Sequence, residues 1–323
     1  MRRLSALLGL ALSFTTAAIG APFAYITNQG SHDVSVIDLA QQRVVATVPV
    51  GRSPAGVVAA GGRAFISNPD SRDISVIDMA SQTVVRTLQA GQGPVGIDAA
   101  PDGRRLFVAD WYANELLVFD DTASTASTAT KPSARIALGH APAGVAAGGG
   151  DIVYVAERDD DSVAAVSLRE GRVVARAKVG THPFALLLDT PRQRLYALNV
   201  LSDDVSVIDL SRPGAMSVIA TVHVGKAPYG AALAAGGTLL YVSNQHDDSV
   251  TVIDAATLAP LRTLEGFGYP EGIAAHEDKV YVVNWMDDAV SVLDAASGRE
   301  LRRIRTGKNS RGFGAFIGAP TPP

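Results

Sequence analysis

Short apolar runs of four to six residues recur from end to end of this chain, each bounded by Gly, Pro, Asn, Asp or Ser. None falls on a helical period, and apolar residues often stand side by side instead of strictly alternating. The stretch from Pro54 to Leu88 shows the unit. Gly56 to Ala59 reads as a first strand of small residues, Ala64 to Ser67 as a second, Ile74 to Ile77 as a third and Thr83 to Leu88 as a fourth. Gly61-Gly62, Asn68-Pro69-Asp70 and Ala80-Ser81 supply the turns. Consecutive apolar positions predict strands covered on both faces. Gly and Ala in the first strand place it innermost, where chains crowd around an axis.

The unit repeats. Val36-Ile37-Asp38, Val76-Ile77-Asp78, Val207-Ile208-Asp209 and Val252-Ile253-Asp254 are its clearest third strands, with degenerate copies at Val118-Phe119-Asp120, Val166-Ser167-Leu168 and Val292-Leu293-Asp294. An aromatic-hydrophobic-x-Asn segment precedes each, and a Val-Gly-x-x-Pro segment follows. Aligned positions 38, 78, 120, 167, 209, 254 and 294 are spaced by 40 to 47 residues. A period near 40 with four short strands predicts an all-β fold, a seven-bladed propeller of four-stranded antiparallel blades. The chain enters at a second strand, Phe23 to Ile26, and an orphan first strand, Phe313 to Ile317, lies near its end. Pairing the two would close the ring and remove its open edges.

Tyr25-Ile26-Thr27-Asn28, Tyr241-Val242-Ser243-Asn244 and Tyr281-Val282-Val283-Asn284 resemble the motif of the YVTN-repeat β-propeller family, which includes the YncE-type exported bacterial proteins. The resemblance runs from about Phe23 to Ile317. Copies two to five depart from it at Phe65, at Phe107 with Asp110, at Tyr154 with Glu157, and at Ala197-Leu198. It implies a seven-bladed exported propeller, and no particular biochemical role.

Residues 1–20 stand apart from the repeats. Met1-Arg2-Arg3 is basic, Leu4 to Ile19 carries no charge, and Ala18 and Gly20 offer small residues for cleavage before Ala21. This pattern predicts a secretory signal peptide, a single propeller domain over 21–323, and a periplasmic or secreted protein. No later apolar stretch reaches membrane length, so no span is expected after cleavage. The chain has no cysteine, which excludes a disulfide framework, thiolate metal ligands and thioether-linked haem. Removing the leader leaves 26 basic against 32 acidic residues, a balance with no electrostatic footprint for nucleic acid.

The recurring Asp at 38, 78, 120, 209, 254 and 294 follows a strand and precedes turn residues, the setting of an Asx-type turn. The recurring Asn reads as structural too, and Gly-x-x-Pro as a blade-to-blade turn. Function is therefore expected where repeats differ. Strand parity puts the second-to-third loops and the blade-to-blade loops on one face, here called upper. The insertions at 122–130 and 211–214 fall at the opposite end.

The candidate binding residues all belong to the upper face: Trp111, Tyr112, His140, Glu157, Arg158, His182, Tyr229, Tyr269, Glu271, Trp285 and Arg311. Such aromatic and titratable enrichment suits recognition of a partner protein or small ligand. No Gly-x-Ser-x-Gly, His-Glu-x-x-His or phosphate-binding loop is present. The leading expectation is a non-catalytic, monomeric binding or scaffold protein without cofactor. A metal site or acid/base pair from His140, His182 and Glu157 would require those side chains to converge. Glu271 and Arg311 occupy equivalent positions in adjacent blades, which favours a rim ion pair over catalysis. Propellers similar in fold include lactonases, streptogramin lyases and the non-catalytic subunits of quinoprotein amine dehydrogenases, so an enzyme remains the second reading. A third is stacking of single-stranded nucleic acid or polysaccharide on Trp111, Tyr112, Tyr229, Tyr269 and Trp285.

Overall fold

The computed structural model describes residues 22–120, 122, 130–212 and 215–321. The leader expected over 1–20, most of the 122–130 insertion, and Pro213 with Gly214 lie outside them. Seven separate four-stranded antiparallel sheets form, and each is one blade. Blade 2 is typical, with strands Val57–Ala60, Arg63–Asn68, Asp73–Asp78 and Thr83–Gln89 adjacent in that order. The innermost strands of blades 3 to 7 are Pro94–Ala99, Pro142–Ala147, Pro183–Asp189, Pro228–Ala234 and Pro270–His276. Helical structure among the described residues is confined to two 3-10 turns, Arg158–Asp160 and Gln245–Asp247. No helix there is long and apolar enough to cross a membrane. Second and third strands are buried almost throughout, whereas outer strands alternate, because only the outer strand meets solvent on its free edge.

Each polar letter of the repeat has an assigned task. The hydroxyl before the Asn joins neighbouring blades. Thr27 Oγ1 donates to the Ala55 carbonyl at 2.9 Å and accepts from Gly312 N at 3.0 Å. Ser67 does the same between Gly56 and Val95, and Ser243 between Gly230 and Glu271. The Asn binds within its blade: Asn68 Nδ2 donates to Asp73 Oδ1 at 2.7 Å and Ser75 Oγ at 3.0 Å. Its carboxamide lies against the Val-Gly-x-x-Pro glycine, where a Cβ on Gly51 would stand 2.6 Å from Asn68 Cγ. The buried tyrosine reaches the next blade, as when Tyr241 Oη donates to Ala295 O at 2.9 Å. Burial pushes the Tyr25 phenol up to about 12, so these hydroxyls stay neutral. The recurring Asp caps its turn as expected: Asp38, Asp78, Asp254 and Asp294 each accept the backbone N–H three residues on, at 2.7–2.8 Å.

Crowding at the axis explains the small first strands. A Cβ on Gly96 would stand 1.7 Å from the Ala143 carbonyl of blade 4, and one on Gly272 would stand 2.1 Å from Gly312 O. Only a bare α-carbon lets adjacent inner strands approach that closely.

Ring closure occurs as the sequence suggested, with one difference. Ile317–Gly318 pairs antiparallel with Phe23–Asn28, completing blade 1. Within the strand expected over 313–317, Phe316 O accepts Tyr25 N of blade 1 at 2.9 Å, but two carbonyls serve the other neighbour: Val57 N donates to Phe313 O and Ala59 N to Ala315 O, both at 2.8 Å. Gly312 and Gly314, at φ of 70° and 120°, bend the chain away from strand geometry. That bend throws Phe313 across the axis.

Two stability tests follow from these contacts. Deleting residues from Arg311 onward opens the ring, and the melting temperature should fall substantially; an unchanged value would refute closure by this segment. Ser243→Ala leaves the Gly230 N–H and Glu271 carbonyl without their shared partner. It should cost about 1–3 kcal/mol by denaturant unfolding, and a loss near zero would show the hydroxyl bridge to be dispensable.

Candidate functional site

The blade-to-blade loops are held rigidly. In six of the seven junctions, a residue at positive φ donates its N–H to the last side chain of the preceding second-to-third turn. The pairs are Ser53 to His32 Nδ1, Ala141 to Asn114, His182 to Asp161, Ala227 to Asp203, Tyr269 to Asp248 and Asn309 to Asp288. His32 therefore fills the Asp/Asn place of the repeat. At the remaining junction Arg72 cannot accept, and Asp110 takes Gly93 N at 2.9 Å instead.

The residue after each junction Pro, or after Ser310, enters the mouth: Ala55, Val95, Ala143, Phe184, Tyr229, Glu271 and Arg311. Phe184 and Tyr229 meet Phe313 from the far side of the ring, with ring centroids 4.9 and 5.7 Å away. Val95 joins the same cluster. Four blades thus contribute to one apolar plug across the axis. Trp111 extends it upward, 6.1 Å from Phe184, with the Arg158 guanidinium 5.4 Å above the indole. Tyr229 is largely buried in this plug and is no rim residue.

Beside the plug, Glu271 and Arg311 do form an ion pair. Arg311 Nη2 donates to Glu271 Oε1 at 3.2 Å, and Nε lies 2.9 Å from Oε2 without pointing along the bond. Gln245 Nε2 donates to Oε1 at 2.8 Å. Burial pushes the Glu271 carboxyl up, and the Arg311 charge opposes that shift. A second aromatic group stands on the rim, where Tyr269 lies 5.5 Å from both His246 and Trp285. The buried Trp285 Nε1 and His182 Nδ1 have no hydrogen-bond partner.

The proposed His140, His182 and Glu157 site does not assemble. His140 Nδ1 pairs with Asp160 at 2.9 Å, and that hydrogen bond raises the imidazole pKa. His182 Nε2 stands 4.0 Å from Asp159, which also pairs with Arg158. Glu157 lies fully buried beneath them in the place of the repeat Asn. Its carboxylate accepts Gly139 N, Ser162 Oγ and the Arg176 guanidinium at 2.7–2.9 Å. A side chain with that many structural partners is not a ligand group. Tyr112 projects into solvent, 72% exposed. Among the described residues, no three His, Asp or Glu side chains are placed to hold a metal ion. The guanidiniums nearest the axis, Arg158 and Arg311, each pair with an acid, which leaves little charge for phosphates.

Below the plug the channel widens into a cavity of about 540 Å³. Sequence reasoning missed its one ionisable lining residue, Asp98. The available signal was positional, since the equivalent residues of blades 2 and 4 to 7 are Val58, Ala146, Leu187, Ala232 and Ala274. Asp98 accepts Ala99 N at 2.8 Å and, across the blade junction, Ala147 N at 2.7 Å. Enclosure by the inner strands pushes its carboxyl up to about 7, against those two amides.

The folded state thus binds this proton more tightly than the unfolded chain, whose carboxyl titrates at 3.8. Between about pH 4 and pH 7 the native protein holds the extra proton, so stability falls as pH rises through that window. Urea unfolding of Asp98→Asn and the parent chain should diverge across it by on the order of 2–4 kcal/mol, the parent losing more. Parallel pH profiles would show that Asp98 titrates normally.

No protein-family model matches this sequence, and no curated protein matches it. Solved structures do. A chain of Kuenenia stuttgartiensis hydrazine synthase superposes with a TM-score of 0.74 at 17% identity, covering 89% of this chain and 99% of its own. A functionally unknown protein from Desulfotomaculum acetoxidans gives 0.75 at 13%, with 93% and 99% coverage. Dihydro-heme d1 dehydrogenase NirN, solved in complex with DHE, gives 0.69 at 16%, covering 94% and 77%. At these identities the likeness is one of fold: the chain is a seven-bladed β-propeller of four-stranded blades.

Proposed function

We propose that this protein is an exported, non-catalytic binding propeller of the YVTN-repeat type, recognising a partner protein or small ligand at its upper mouth. The observation that carries the reading is a pair of aromatic groups on the upper face, Trp285 with Tyr269 and His246, and Trp111 over the plug. Aromatic side chains with a polar tip are the usual anchors of recognition surfaces. Phe313, Phe184 and Tyr229 meet beneath this surface and close the axis there.

The activities named for two of the similar structures belong to those proteins. For this chain, a lactonase- or lyase-like reading would need His140, His182, Glu157, Arg158 and Glu271 to act together. His140 is engaged with Asp160, His182 and Arg158 share Asp159, Glu157 pairs with Arg176 and Glu271 with Arg311. Stacking of nucleic acid would need free cations beside the aromatics, and the axial guanidiniums are neutralised.

The test is cross-linking capture with the purified protein in extracts of its own compartment. A partner held by the parent chain should be lost with both Trp111→Ala and Trp285→Ala while their melting temperatures stay within a few degrees. Retention by both variants would remove the upper mouth from the interaction. Turnover of a substrate panel that His182→Ala abolishes would replace binding with catalysis.

A further inference from the structure

The cavity beneath the plug is separate from the upper mouth. Phe313 forms its ceiling, and Pro101, Gly148 and Thr190, from first-to-second loops, form its lower lip. It therefore opens on the face opposite the one that carries the rim aromatics. Its size falls within the usual range of small-molecule pockets. Ile97, Leu186, Leu188, Leu233 and Ile273 contribute apolar side chains to its walls, alongside exposed inner-strand backbone.

In these walls stands one carboxyl group. Among the described residues that line the cavity, Asp98 is the only ionisable one. The groups acting on it are two backbone amides; no Lys, Arg or His does so. A carboxylate offers about four acceptor sites, and the amides of Ala99 and Ala147 engage one oxygen each. A partly buried carboxylate without a counter-charge is costly to hold. Proton uptake or a bound cation would offset that cost.

We propose that the lower channel is a binding site for a small organic cation, a primary ammonium on an apolar chain, with Asp98 as its counter-ion. The ammonium would reach the free carboxylate lone pairs through charge-assisted hydrogen bonds. Its hydrocarbon part would displace water from the Leu and Ile walls. An anion would be repelled by Asp98, and a neutral apolar molecule would leave the carboxylate desolvated and unpaired. The shift of the Asp98 carboxyl toward neutrality is the expected mark of a site lacking its cation.

Titration calorimetry with hexylammonium and its neutral counterpart hexanol tests this, at about pH 8, above the Asp98 titration and below that of an alkylammonium. Hexylammonium should bind at least about tenfold more tightly than hexanol. Asp98→Asn should erase that preference, bringing the ammonium down to the alcohol. Ala231→Phe, which adds bulk to the cavity lining from blade 6, should abolish binding of both. Trp285→Ala should change neither. The proposal is overturned if hexylammonium does not bind the parent chain at millimolar concentration, or binds no better than hexanol. It is also overturned if the ammonium keeps its affinity in either channel variant. In that case Asp98 serves only as a staple between blades 3 and 4.

Discussion

Backbone contact at the axis is the constraint on which the rest of the molecule depends. Seven inner strands can ring a common axis only if each carbonyl row abuts the next α-carbon, as Gly96 does against Ala143 and Gly272 against Gly312. Side chains are squeezed out of that layer, so the blades must be joined by groups that reach in from the second strand. Thr27, Ser67 and Ser243 do this, each linking an inner-strand N–H of its own blade to a carbonyl of the next. The repeated tyrosines add a second link lower down. Closure uses the same logic. The segment that completes blade 1 also satisfies two amides of blade 2, so one short stretch is shared across the seam.

That shared stretch also shapes the channel. Bending at Gly312 and Gly314 carries Phe313 onto Phe184 and Tyr229. The axis is divided into a shallow aromatic mouth above and an apolar cavity below. The two compartments differ in chemistry. Above, Arg158 and Arg311 each pair with an acid beside the aromatic plug. Below, the Asp98 carboxyl accepts two backbone amides among walls that carry Leu, Ile and Ala side chains. A surface of the first kind suits broad contact, whereas the second suits a small charged guest.

The fold was legible because the repeat is local and redundant. Strand lengths, turns and the Asp caps follow from residues within a few positions of one another, and seven copies reinforce the same reading. The candidate site was legible only in part. Parity of strands places Trp111, Tyr269, Trp285, Glu271 and Arg311 on one face, and the Glu271–Arg311 pair follows from equivalent positions in adjacent blades. Glu157 misled because a departure from the repeat looks functional. In fact the longer carboxylate replaces the Asn and recruits Arg176 from the outer strand of its own blade. His140 and His182 misled for a related reason. Neighbouring loops suggest convergence, yet each imidazole turns to a different acid of the 3-10 turn between them.

By itself the sequence determined the number of blades, the order of strands within each and the face on which irregular loops gather. All three are set by period, by turn residues and by parity, which need no knowledge of distance. Only the tertiary structure decided what crosses the axis. Phe313 meeting Phe184 and Tyr229, and Asp98 facing an open cavity with Ala147 of another blade as its partner, are encounters between blades. They depend on how far each inner strand stands from the axis and which way a bend turns one ring, and no local pattern encodes either.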